Sequence, residues 1–204
     1  MEEWLKLAIE IQSLAQNGLT YSNNDFDTER YNRLRDISAE MIAMKSDVNF
    51  EKVKGLFCNE SGYQTPKIDT RAAIFNDNKI LLVCENNNKW ALPGGWVDVL
   101  ETIKSNTIKE VKEETGLDVV ANRVIALQDR NKHNKPVYPY GVCKVFILCD
   151  YVGGSFVDNI ETIKFDYFSL DSLPVDLAYE KTTKEQIEMC FKAYYDNSWK
   201  VYFD

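Results

Sequence analysis

The chain has 204 residues, 45% of them hydrophobic, and a formal net charge of −8. Such a length suits one or two domains with a real buried core. The acidic balance argues against a DNA-binding footprint, which recruits a basic surface, and no apolar run is long enough to span a bilayer. The start, MEEWLKLAIE, carries acidic residues where a secretion signal would carry basic ones. Five cysteines without close pairs read as small buried thiols in a reducing cytoplasm rather than as a disulfide framework. A single histidine, His133, argues against a histidine-built zinc site.

Residues 1–57 read as a helical region. Trp4, Leu7, Ile11 and Leu14 recur at helical spacing with Gly18 as a stop, and Asn24-Asp25 signals the cap of a second helix burying Tyr31, Leu34, Ile37 and Met41. A shorter third helix covers Phe50 to Phe57. Residues 58–66, with Gly62 and Pro66, read as a linker into a second region, 67–204. There RAAIF and KILLVCE flank the turn Asn76-Asp77-Asn78-Lys79, and Trp90-Ala91-Leu92 leads into Pro93 and a glycine loop. The spacing predicts a helix over Ile103–Thr115, then strands DVVANRVIALQD, YGVCKVFILCDYV (ended by Gly153-Gly154) and FDYFSL, and a closing helix over Thr182–Tyr195. Strands alternating with helices on both sides predict an α+β three-layer sandwich around a mixed sheet.

The chemistry concentrates in residues 94–117, GGWVDVLETIKSNTIKEVKEETGL. On a helix closed by Gly116, Glu110, Glu113 and Glu114 share one face, while Ile108, Val111 and Thr115 share another that can pack on a sheet. Clustered carboxylates repel one another, and oxygen-only ligands suit hard divalent ions, Mg²⁺ first and Mn²⁺ as a substitute. Taken alone, KEVKEE would read as a solvated helix face. The Gly94-Gly95 loop and Glu101 upstream turn the reading toward metal binding.

The segment resembles the Nudix box: Gly, five of any, Glu, seven of any, Arg-Glu, an aliphatic, any, Glu-Glu, any, Gly, an aliphatic. Every fixed position matches except that Lys109 stands where the pattern has Arg. The resemblance implies a Nudix-type α/β/α sandwich and hydrolysis of a nucleoside diphosphate linked to another moiety, giving a nucleoside monophosphate and a second phosphomonoester. It also implies that Glu110, Glu113 and Glu114 hold the metal with help from a Gly94 carbonyl, while Glu101 pairs with residue 109 to brace the loop. Lys109 keeps the charge but loses the planar fork, so the brace should be weaker. The N-terminal segment, LQDRNKHN and Glu161-Thr162 are similar to a Nudix subfamily acting on ADP-ribose or CDP-choline. That likeness puts Glu161 forward as base or ligand, and Arg130, Lys132 and His133 are expected to touch a small nucleotide-diphosphate substrate. Two other readings stay open, an enzyme acting on RNA ends or nucleoside triphosphates and a non-catalytic nucleotide-metabolite sensor. Residues 1–57 hold amphipathic segments but little chain for a core of their own, so the expected assembly is a homodimer.

Overall fold

A computed structural model describes residues 2–204. The chain through Pro66, together with Val137–Gly141, forms one compact unit; Lys67–Pro136 and Val142–Asp204 form the other.

The first unit carries α1 (Glu3–Tyr21), α2 (Asp25–Ala43) and α3 (Phe50–Phe57). The side chains of Asn24 and Asn49 cap α2 and α3, accepting from the amides of Asp27 at 2.8 Å and Lys52 at 2.9 Å. The buried faces differ from the expectation. On α1 the covered residues are Ala8, Gln12, Ala15 and Gln16, and on α2 they are Ser38 and Ala39. Small side chains let the helices pack closely, and Leu7 and Leu14 are left 48% and 62% exposed. Gly18 does not stop α1; its missing side chain makes room for the Tyr31 ring. The stretch expected as a linker is stitched to α1, with Gln16 donating to the Gly62 carbonyl at 2.8 Å and Asn17 accepting from the Gln64 amide at 3.0 Å.

The second unit is built on β1 (Lys67–Asn76), β2 (Lys79–Glu85), β3 (Trp90–Ala91), β4 (Leu117–Asp129), β5 (Val142–Gly154), β6 (Thr162–Phe168) and β7 (Tyr202–Phe203). Its helices are α4 (Ile103–Thr115), the single turn α5 (Arg130–His133) and α6 (Lys184–Tyr195). The mixed sheet runs β3-β2-β1-β5-β4-β7, with β6 also paired to β2. At the β1–β2 turn Asp77 and Asn78 take φ of 47° and 57°, the pair of left-handed residues that a tight hairpin demands. One face of the sheet packs Ala73, Leu82 and Phe146 against Ile187, Cys190 and Phe191 of α6. The other packs Ala72, Ile74 and Ile147 against Val111 of α4. The sheet is therefore sandwiched between helices, as expected.

Two glycines close the α4–β4 corner. Gly116 ends α4 at φ 73° with its amide on the Lys112 carbonyl at 2.9 Å, and a Cβ there would collide with the Ser155 carbonyl. Strand β5 ends at Gly154, as expected, although both glycines still pair with β4. Gly154, its last residue, pairs with Leu117 and has no room for a Cβ, because the Gly116 carbonyl would lie only 2.5 Å from it. Gly116→Ala imposes both a left-handed side-chain conformation and a clash, so it should cost about 1–3 kcal/mol. A lower urea midpoint with an unchanged slope is the expected result; an unchanged midpoint would remove this account of the corner.

Candidate active site

Strand β1 pairs with β2 only at Phe75↔Ile80 and Asn76↔Lys79, beyond which β2 diverges. The freed edge of β1 is taken by the loop that follows β3. Ala72 donates to the Pro93 carbonyl at 2.8 Å, Thr70 to Gly95 at 2.9 Å, and Val97 to the Ile68 carbonyl at 2.9 Å. Gly94, at φ 137°, has no space for a Cβ because the Thr70 carbonyl lies against it. A side chain at that point would push the loop off the strand.

Helix α4 fastens the same loop from the other side. It begins at Thr102 in a reciprocal cap with Ser105. One turn in, the buried Asn106 donates to Thr70 Oγ1 at 3.0 Å and accepts from the Asp98 amide at 3.2 Å. Two turns later Glu114, also buried, accepts the Gly94 amide on Oε2 at 2.8 Å. Glu110 lies against Gly95, where a Cβ would sit 2.6 Å from its Oε2. The ammonium of Lys109 stands 3.0 Å from Glu110, 3.2 Å from Glu113 and 3.1 Å from Asp98.

Burial drives the electrostatics. It pushes the Glu114 carboxyl up to about 7, against the pull of Arg71 and the Gly94 amide, with Glu110 adding to the rise. Burial also raises Glu110, partly offset by Lys109, and the hydrogen bond to Glu110 in turn holds Lys109 above the ordinary lysine range. On the neighbouring strands Asp69 sits between two buried cations, Arg71 Nη2 at 3.0 Å and Lys144 Nζ at 2.5 Å. Burial opposes the Asp69 charge, yet Arg71 and Lys144 hold its carboxyl below the usual range. Lys144 is the surplus cation of the trio, and burial with Arg71 beside it lowers its ammonium to about 7. Arg71 also donates to the Leu92 carbonyl at 3.1 Å, so it anchors the start of the loop.

Several expected placements need correction. Among the described residues, Glu110, Glu113 and Glu114 do not converge as one metal-ready group. Glu114 turns inward to the loop, while Glu113 turns out to Lys109. Gly94 meets Glu114 through its amide rather than its carbonyl. The Glu101–Lys109 brace is not formed. Lys109 reaches Asp98 instead, because a flexible ammonium goes to the carboxylates around it rather than to the geometry a planar fork prefers. Glu161 is exposed, but its loop is tied to the helix. Asn159 donates to the Glu114 carbonyl at 3.1 Å and accepts from the amides of Glu161 at 3.0 Å and Thr162 at 2.7 Å.

The expected substrate cluster is occupied by protein. Arg130 is 2% exposed and donates to the Asn131 side chain at 3.2 Å and the Pro136 carbonyl at 2.5 Å. His133 Nε2 lies 2.6 Å and Lys132 Nζ 4.0 Å from the Asp204 carboxylate. These three close the turn between β4 and β5. Residues that sequence reasoning missed are Asp69, Arg71, Asp98, Asn106, Lys144 and Asn159. The Asp-x-Arg directly ahead of the apolar run Ala72-Ala73-Ile74-Phe75 was the available signal for the first two, since buried charges occur in pairs.

The NUDIX domain model matches residues 65–189, and the model of a UDP-X-like Nudix N-terminal oligomerisation domain matches residues 2–57. The Bacillus subtilis protein YjhB, provisionally named an ADP-ribose pyrophosphatase, is 39% identical over 99% of this chain and 97% of its own. A crystal structure of an ADP-ribose pyrophosphatase from Streptococcus suis superposes with a TM-score of 0.64 at 52% identity, covering 69% of this chain and 100% of that one. A UDP-X diphosphatase structure gives a TM-score of 0.64 at 33% identity, over 99% and 98% of the two chains.

The buried Glu114 has a signature in stability. Its carboxyl rises from 4.5 to about 7 on folding, so the folded chain holds an extra proton between those values. The associated stability is full below the lower value and is lost as pH rises through the upper one. In chelator, Glu114→Gln keeps an acceptor for the Gly94 amide without the charge. It should match the wild type near pH 4.5 and exceed it by about 1–3 kcal/mol near pH 8 in urea unfolding. A difference that does not grow with pH would contradict this reading of Glu114.

Proposed function

The chain belongs to the Nudix hydrolases, and from that premise we propose that it cleaves ADP-ribose at its diphosphate, with a divalent cation, to AMP and ribose 5-phosphate. The observation that carries the substrate is the near full-length likeness to a relative provisionally named an ADP-ribose pyrophosphatase, joined by the Streptococcus suis structure of that printed activity. CDP-choline, which the sequence resemblance also implies, presents the same diphosphate to the same residues.

The donor set fits a hard cation. Glu110, Glu113 and Glu114 supply only oxygen, and Glu110 is packed on Gly95 in a space that any larger residue would close. Glu110 and Glu114 would hold the ion beside the Gly94-Gly95 turn, with Glu113 joining from the outer face. Nudix hydrolases generally use a divalent metal; Mg²⁺, with Mn²⁺ as a substitute, is our assignment here. When bound, such an ion neutralises charge on the diphosphate and acidifies water.

The chain's own groups do the rest. Gly94, through its amide, fixes Glu114, and Asn106 fixes the loop that the diphosphate must lie along. Among the described residues Glu161 makes no ion pair, and Asn159 holds its loop at the end of α4. We assign Glu161 as the group that takes the proton from the attacking water. The water oxygen bonds to phosphorus as the bridging P–O bond breaks, leaving two phosphomonoesters. A cytoplasmic setting is supported by the free thiols of Cys58, Cys84, Cys143, Cys149 and Cys190.

A UDP-linked diphosphate is the second reading. It is favoured by the full-length likeness to a UDP-X diphosphatase and by the description of the N-terminal match. A panel of kcat/KM values for ADP-ribose, CDP-choline, a UDP-sugar, nucleoside triphosphates and 5′-triphosphate RNA separates the readings. ADP-ribose should lead, with activity abolished by EDTA and restored by Mg²⁺ or Mn²⁺. A tenfold or greater lead by any other class, about 1.4 kcal/mol of transition-state preference, would reassign the substrate.

The N-terminal match also supports a homodimer. Leu7, Leu14 and Tyr21 recur every seventh residue on α1 and are 48%, 62% and 69% exposed, an apolar stripe suited to a second copy. The full chain should sediment as a dimer at micromolar concentration, and Leu14→Glu should shift it toward monomer without loss of helix content. A monomeric wild type would refute the assembly.

A further inference from the structure

Lys109 is placed unlike a simple brace. Its ammonium contacts Glu110 at 3.0 Å and Glu113 at 3.2 Å, two of the three carboxylates assigned above to the divalent ion. Its third contact, Asp98 at 3.1 Å, lies outside that set. We propose that Lys109 is a tethered competitor for the divalent ion, and that Asp98 is the carboxylate that receives its ammonium when Glu110 and Glu113 turn to the ion. The inference rests on the cation-site reading of the box glutamates.

The local structure supports both halves. The Lys109 side chain is 30% exposed, and an ammonium on a four-carbon stem can move between acceptors that lie within one contact distance. The divalent ion carries twice the charge on the same carboxylates, and an ammonium left between them would be repelled by it. Asp98 is fixed independently of Lys109. Its amide donates to Asn106 and its carbonyl accepts from the Glu101 amide at 2.9 Å. The carboxylate therefore remains available on the loop as the ammonium changes partners.

The competition makes two predictions of opposite sign, which damage to the fold would not produce together. Mn²⁺ binding to the full chain is measured by the electron paramagnetic resonance of the free ion, without substrate, at fixed pH and ionic strength. Lys109→Met should bind Mn²⁺ about threefold to tenfold more tightly, the range expected for releasing two partly exposed ion pairs. Asp98→Asn should bind it about threefold more weakly, because the ammonium then has only the glutamates. In the Lys109→Met background Asp98→Asn should have little further effect, since Asp98 acts through the lysine. Lys109→Gln serves as a second neutral variant, with circular dichroism checking the fold.

Equal or weaker binding by both neutral variants would overturn the competition. Strictly additive effects of the two substitutions would overturn the role of Asp98, leaving simple charge repulsion. Wild-type binding that Glu110→Gln leaves unchanged would instead place the ion elsewhere and overturn the site, a result distinct from the other two.

Discussion

Where β2 turns away from β1, the amides of Thr70 and Ala72 would lie buried without partners, a cost no fold sustains at the centre of a sheet. The carbonyls of Gly95 and Pro93 meet them, so the backbone of the loop serves as a short strand. That single substitution of loop for strand positions the candidate site around Gly94, Glu110 and Glu114. It forces glycine at residue 94, brings Gly95 against Glu110, and aims the Gly94 amide at Glu114. The loop is held by strand pairing on one side and by Asn106 and Glu114 of α4 on the other, so its surface is fixed by the fold itself.

Behind the loop lies a concentration of buried charge that stability alone would not select. Asp69 and Arg71 carry opposite charges into the interior beside Lys144, whose ammonium is lowered to about 7, with Glu114 in the field of Arg71. Removing one member of such a set costs several kcal/mol, about 3–5 in comparable cases, because its partners are left uncompensated. The return is orientation. Arg71 spends one donor on the Leu92 carbonyl and its field on Glu114, linking the loop's entry to the carboxylate at the loop's turn.

What could be read in the sequence follows the range of the forces involved. The box helix was legible because its start, its apolar face and its closing Gly116 are set by residues within a few turns of one another. Strands β1 to β6 were legible for the same reason, whereas β7, two residues that pair with β4 from the far end of the chain, was not. Misreadings arose where a partner far along the chain decides. On α1 the long apolar side chains suggested the buried face, but the tight approach of α2 selected Ala8 and Ala15 instead. Gly18 looked like a terminator, yet it makes room for Tyr31. RNKHN looked like a phosphate cluster because its partners, Pro136 and Asp204, could not be inferred from the motif. The Glu101–Lys109 brace was carried over from a pattern with arginine, and the lysine found Asp98.

Asn159 joins two regions that would otherwise open separately. Its side chain donates to the Glu114 carbonyl in the last turn of the box helix and accepts from the amides of Glu161 and Thr162. Fraying of the helix end and release of the Glu161 loop are therefore a single cooperative event rather than two. In hydrogen exchange the amides of Gly116, Glu161 and Thr162 would share one opening free energy, although Glu161 belongs to an irregular stretch at the surface and Thr162 opens strand β6. Motion of that loop is thereby tied to the integrity of the helix that carries Glu110 and Glu114, so the loop does not drift open while the carboxylates stay in place.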